Sequence, residues 1–352
     1  MQTKLNVNSE ESQKNQLVEL DQNNINALVE PVIISASRAT DIPKWYAEWF
    51  INRLNEGYVI WINPFNQNFR QKVSFEKTKA IVFWTKDPRP LMKYLPIVDK
   101  KGIDYYFQYT LNDYEKENIE PNLSPLNRRI ETFKELSNQI GKNKVIWRFD
   151  PLVLSDEINV ETLLNKIKNV GDQIHEYTEK LVISFIDISE YHLVKQRLNK
   201  LNKNYREFTP SEMLQLAEGL YTLNKEWGLI LATCAEDWPK GTDLSKLGIV
   251  HNRCIDDELL KKLFPNNHEL IKFLESKEGS QKTILESSNN KKNPLKDKNQ
   301  RDACGCIISK DIGQYETCMH LCTYCYANKW DTKVRNRYER YCQSDRNGES
   351  IN

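Results

Sequence analysis

Along residues 29–276, short apolar runs alternate with stretches in which apolar residues recur every three or four positions. The runs at 32–37, 80–85, 105–111, 145–150, 181–187 and 229–236 are rich in β-branched and aromatic residues and read as strands. Two of them contain AIVFW and LVISFI, with no polar alternation, as expected for strands covered on both faces. Helical patterns lie between them. Asp41 is placed to cap a helix with Pro43 in its first turn and Gly57 at its end. Ser124 and Pro125 open a second, whose stripe is Leu126, Ile130, Phe133, Leu136 and Ile140. Thr209 and Glu212 form a capping box ahead of Met213, Leu216, Leu220 and Leu223, with Gly228 as the stop. Residues 58–63 and 71–75 flank a turn with Pro64 and predict a hairpin inserted after the first helix.

Six such strand–helix units predict an α/β fold, a partial (β/α)6 TIM-like barrel. The polar residues at the strand ends favour that reading over a doubly wound sheet. Ser37 and Arg38, Lys86, Gln108, Arg148 and Asp150, Ser184 and Asp187, and Glu236 stand near the C-terminal ends of all six runs. A doubly wound sheet gathers its ligand residues at one switch point, whereas a barrel draws them from every strand. Taken singly, each could merely cap a strand or seed a turn. Taken together they are candidates for a cofactor-binding rim. Arg and Lys there could grip carboxylate or phosphate, and the carboxylates could hold ribose hydroxyls or an amine.

The flanks differ in character. Residues 1–28 are polar and predict a mobile arm, and residues 277–300 read as a polar, Lys- and Asn-rich linker. A cysteine-rich segment (301–328) and a Lys-, Arg- and Tyr-rich tail (329–352) follow. The net charge of +1 excludes blanket attraction to polyanions as the design, and no apolar run reaches the length of a membrane span. The N-terminus lacks the apolar core of a signal peptide, so a cytoplasmic protein is expected, in which clustered cysteines stay reduced.

Five of the eight cysteines fall in residues 301–328. Cys318, Cys322 and Cys325 follow a C-x3-C-x2-C spacing with Tyr324 before the last, and Cys304 and Cys306 lie upstream around one glycine. Thiolates select zinc, copper(I) or iron–sulfur clusters. Three on one tight loop can hold three corners of a cubane and leave the fourth iron open for a small molecule. A closed zinc site completed by His320, Cys304 or Cys306 is the competing assignment. Cys234, Cys254, Cys304 and Cys306 could together form a second site, an auxiliary cluster or a structural zinc, unless Cys234 and Cys254 are only small buried hydrophobes. Cys342 is read as a bystander.

The loop CMHLCTYCYAN resembles the cluster loop of radical S-adenosylmethionine (SAM) enzymes, and within them that of the spore photoproduct lyase group. The resemblance implies a [4Fe-4S] cluster on Cys318, Cys322 and Cys325, SAM on the open iron, Tyr324 near the adenine, an electron donor as partner, and a 5′-deoxyadenosyl radical as the reactive species. Such enzymes commonly use a partial barrel. Two features depart from their pattern: the loop follows all the strands, so it must fold back over the rim, and no Gly-Gly-Glu motif is present. The stretches ISASRATDIP, IVFWTKDP, YYFQYTLN, VIWRFDP, VISFID and LATCAE, with the cysteine-rich end, resemble a bacterial family, domain of unknown function 1848. The substrate expected is a small or nucleic-acid-derived molecule. Two other functions compete: a metal-stabilised nucleic-acid-binding or repair module, and a barrel hydrolase or lyase whose zinc is structural.

Overall fold

A computed structural model describes residues 25–234, 244–276, 295–298, 300–301, 303–344 and 346–351. Its strands, in chain order, are β1 (Ile25–Val29), β2 (Ile33–Ala36), β3 (Tyr58–Ile62), β4 (Arg70–Ser74), β5 (Ala80–Thr85), β6 (Asp104–Thr110), β7 (Val145–Leu152), β8 (Lys180–Phe185), β9 (Ile230–Cys234), β10 (Ile249–Asn252) and β11 (Lys310–Asp311). Eight of them form one sheet in the order β10-β9-β8-β7-β6-β5-β2-β11, and every pairing in it is parallel. From β2 to β10 each new strand joins the same edge, so the order has no switch point. The six expected strands are all present, but β10 and β11 were not foreseen. Closure into a barrel is not shown: among the described residues β10 and β11 are the two edges and do not pair.

Both faces of this sheet are covered, which is why its strands lack alternation. Ile81, Phe83, Phe107, Tyr109, Trp147, Phe149, Leu181 and Ile183 pack under helices contributing Phe50, Phe133, Leu136, Leu163, Ile167 and Leu220. The opposite side chains, Ile33, Val82, Tyr106, Ile146, Val182 and Ala232, meet Ile255, Leu260, Phe264, Leu270 and Ile307 from the C-terminal third of the chain. A sheet covered on two sides buries nearly every residue of a strand such as β5. Each large apolar side chain taken from water contributes about 1.5–3 kcal/mol before entropy is charged.

Local signals explain the helices. Asp41 accepts from Lys44 N (3.0 Å) and caps Ile42–Trp45; a second helix, Ala47–Glu56, ends on Gly57. The capping box of Thr209 and Glu212 opens Pro210–Trp227, which stops at Gly228 in a left-handed conformation (φ 66°). Leu126–Ile140 forms as expected, although Pro125 occupies the cap position and the Ser124 hydroxyl is turned to Asp87. The hairpin is confirmed, with Tyr58 opposite Ser74. It is joined by β1, which pairs parallel to β4, so residues 25–28 belong to a strand and not to an arm. The tail also folds: Asp331–Gln343 is helical, and residues 348 and 349 return to the hairpin, Trp49 Nε1 donating to Gly348 O (2.6 Å) and Ile60 N to Glu349 O (2.7 Å).

A further helix, Val160–Ile174, touches Pro210–Trp227 closely at Gly171, where a Cβ would lie 2.4 Å from the Trp227 ring. The indole is held by its Nε1–H to Asp172 (3.0 Å) and cannot swing aside freely. Gly171→Ala gains about 1 kcal/mol of helix propensity but incurs an overpacking cost of about 1–3 kcal/mol. The expected outcome is a net loss of up to about 2 kcal/mol in urea unfolding, with Gly171→Ala together with Trp227→Leu recovering part of it.

Candidate functional site

Beyond the C-terminal ends of the parallel strands lies a cavity of about 420 Å³, within the usual range of small-molecule sites. Ser37, Thr85, Thr110, Asp150, Ser184 and Cys234, from or just past β2 and β5 to β9, all reach it, and residues 300–326 cover it. The C-terminal segment therefore does fold back over the strand ends. It is seated by β11 against β2 and by Asp311, whose carboxylate accepts from Ser35 Oγ (2.9 Å), Arg38 N (2.8 Å) and Gly313 N (2.9 Å). A Cβ on Gly313 would meet Ser37 Oγ at 1.8 Å, so only glycine permits this approach.

Cys318, Cys322 and Cys325 all line the cavity, near enough that Cys325 raises the proton affinity of the other two. Their loop is tied on every side. His320 Nε2 meets Asp41 Oδ2 (2.7 Å), Arg197 donates to Cys325 O (2.9 Å), Asn328 to Cys318 O (2.7 Å), and Asn122 to Met319 O (2.7 Å). Burial pushes the Cys318 thiol up to about 12, and burial likewise raises Cys322 and Cys325. Such thiols stay protonated until a cation displaces their protons, which couples any metal loading to proton release. His320 is more than the loop residue expected: its ring is buried between Asp41 and Trp45.

Tyr324 stands in a polar network that sequence reading did not anticipate. Lys86 Nζ donates to Glu120 Oε1 (2.7 Å) and Tyr324 OH (3.0 Å), Asn112 Nδ2 to Glu120 Oε1 (3.0 Å), and Tyr324 OH to the same carboxylate. Burial alone would raise Glu120, but the charges of Lys86 and Arg129 outweigh it and hold the carboxyl below its usual range. Asp150 is held down the same way, burial being overcome by Arg148, which pairs with it at 2.5 Å, and by Ser184, which also donates to it. Two guanidinium groups lie against Trp84, Arg38 at 5.1 Å and Arg148 at 5.2 Å from its ring centroid. Glu120, Asn112, Trp84 and Asp311 gave no sequence signal beyond ordinary polar or apolar positions.

Of the other expected rim residues, Asp187 lines the cavity and pairs with Arg301 (2.7 Å). Gln108 is buried behind the rim, bridging Arg148 and Cys254 O, and does not reach the cavity wall. Glu236 lies outside the described residues. Cys234, Cys254, Cys304 and Cys306 also meet at this cavity, Cys234 Sγ 3.3 Å from Cys254 Sγ. Cys342 is exposed, away from it. Among the described residues no group of three or more His, Cys, Asp or Glu side chains is already drawn together as a metal cage. None of their helices is long and apolar enough to cross a membrane.

The profile of the family described as Domain of unknown function (DUF1848) matches residues 33–327. The chain belongs to that family. No curated protein matches it. A solved structure provisionally described as an alpha-L-fucosidase, from Bacteroides thetaiotaomicron, overlaps 72% of this chain and 98% of its own at 11% identity, with a TM-score of 0.23. That score is too low to carry an argument about fold or activity. For this DUF1848 protein the site must be read from its own residues.

Depressed carboxylates make the rim acid-sensitive. Because the folded values for Glu120 and Asp150 lie below the unfolded ones (about 4.3 and 3.9), their contribution is present above that range and lost as pH falls through the folded values. Urea midpoints should hold from neutral pH to about 5 and then fall, and the fall should be shallower in Glu120→Gln. Lys86→Met, which strands Glu120, should cost about 3–5 kcal/mol at pH 7.

Proposed function

We propose that the chain is an iron–sulfur enzyme of radical SAM type working on an incomplete (β/α) barrel. One observation carries the reading: three thiols in C-x3-C-x2-C spacing line the same cavity as the ends of six parallel strands. The donor set suits such a cluster. It is all thiol, three in number, with Cys322 buried and Cys318 and Cys325 partly so, on a loop pinned by Arg197, Asn328, Asn122 and Asp41.

Cys318, Cys322 and Cys325 would hold a [4Fe-4S] cluster, leaving one iron free. When bound with SAM and supplied with an electron, such a cluster provides a 5′-deoxyadenosyl radical for hydrogen abstraction. The chain's own residues do the rest. Lys86 and the Arg38 guanidinium present positive charge to a carboxylate or phosphate, and Arg38 Nη2 is buried without a hydrogen-bond partner among the described residues. Asp150 and Asp187 offer acceptors for hydroxyl or amine groups. The covering residues 303–326 would limit the access of water, which would protect a radical from quenching.

Anaerobic reconstitution with iron and sulfide tests this. The expected product is brown protein with about four irons and four sulfides on the loop, releasing 5′-deoxyadenosine from SAM under dithionite. Cys322→Ala should abolish both the loop cluster and the release. Wild-type protein that takes up no iron, or takes up zinc on this loop, would overturn the reading.

A further inference from the structure

Seven of the eight cysteines face one cavity, and the loop accounts for three. The other four come from distant places: Cys234 ends β9, Cys254 follows β10, and Cys304 and Cys306 sit on the segment that crosses the same sheet face. We infer that Cys234, Cys254, Cys304 and Cys306 bind a single zinc ion, separate from the loop and independent of whether the loop carries a cluster.

Four observations support this. Cys234 Sγ and Cys254 Sγ are 3.3 Å apart, with a hydrogen-bond contact in place of a covalent bond. A tetrahedral ion with Zn–S of about 2.3 Å needs sulfurs about 3.8 Å apart, so a small opening admits it. A cubane would require a wider spread, one sulfur per iron. Cys306 Sγ accepts from two backbone amides, Cys254 N (3.2 Å) and Ile255 N (3.5 Å), and makes a side-chain contact with Cys304. Amide donors aimed at a sulfur favour its anionic form.

The charge around the four sulfurs points the same way. Arg148 Nη1 donates to Cys254 Sγ (3.1 Å), and Asn252 Nδ2 adds a second bond to the same sulfur (3.2 Å). Arg38 lies close enough to feel both Cys254 and Cys306. Zinc bound by four thiolates carries two net negative charges, and two buried guanidinium groups beside it would compensate them. Lys180 and Arg253 also lie near Cys254, with Asp256 pairing to both, while Asp150 is the nearest carboxylate on the Arg148 side. Finally, the ligands span the junction that holds the covering segment. Ile307 N bonds to Ile255 O (3.1 Å) and Ile308 N to Leu295 O (2.8 Å), so an ion here fastens that segment to β9 and β10.

Metal analysis of the Cys318→Ala, Cys322→Ala, Cys325→Ala triple variant isolates the site. The expected result is about one zinc per chain, with Cys254→Ser or Cys306→Ser in wild-type background weakening retention at least as much as the roughly 10–100-fold that outer-shell changes produce. Wild-type protein stripped and refilled with cobalt(II) gives a second readout that needs no variant: intense thiolate-to-cobalt absorption and the visible bands of a tetrahedral ion. Amide exchange at Ile307 and Ile308 should quicken on stripping. Absence of zinc from wild-type protein, iron with sulfide in the triple variant, or zinc held as tightly in Cys254→Ser as in wild type would each overturn the inference. Failure to form 5′-deoxyadenosine would not bear on it, so the two readings fail separately.

Discussion

One buried carboxylate holds the cavity together. Asp41 accepts from Lys44 N, Thr85 Oγ1 (2.8 Å), Lys86 N (2.6 Å) and His320 Nε2, so a helix start, the end of β5 and the cysteine loop share one anion. A carboxylate only accepts, which places the histidine proton on Nε2. Removing Asp41 would orphan donors in three elements at once. The helix cap read from the chain is thus also the anchor of the loop.

Around that anchor the cavity is built from opposing charges kept from bulk water. Lys86, Arg38 and Arg148 stand on one side of the balance, and Glu120, Asp150 and Asp311 on the other. Few of these groups could be buried alone. Each is tolerable because a partner of opposite charge or an aromatic face lies against it, Trp84 serving both Arg38 and Arg148. Such an arrangement suits a site that must hold an anionic ligand without competing water.

The parallel strands and the hairpin were legible because apolar runs, caps and stop glycines are local signals, as at β5, Pro210–Trp227 and β3–β4. The strand β10 escaped notice because IVHN is too short and too polar to stand out, and β11 because its two residues form only against β2. The cysteine spacing exposed the loop. No pattern could announce that Glu120 and Asn112 reach Tyr324 from more than two hundred positions away, since that pairing arises from topology alone. Gln108 was misjudged for a simpler reason: its face of β6 turns toward Cys254 and the covering segment.

The position of Cys304 and Cys306 also bears on how the molecule is made. A ribosome adds roughly 5–20 residues per second, so Cys254 is synthesised roughly 3–10 s before Cys304, fifty positions later (304 − 254). The sheet can assemble strand by strand as it emerges, since each of its neighbours from β2 to β10 is also the next main-sheet strand in sequence. Every donor on the covering segment arrives after that. Translation itself therefore sets the order of assembly: the strand framework first, and the segment that carries most of the cavity's thiols only when the last stretch of chain has been made.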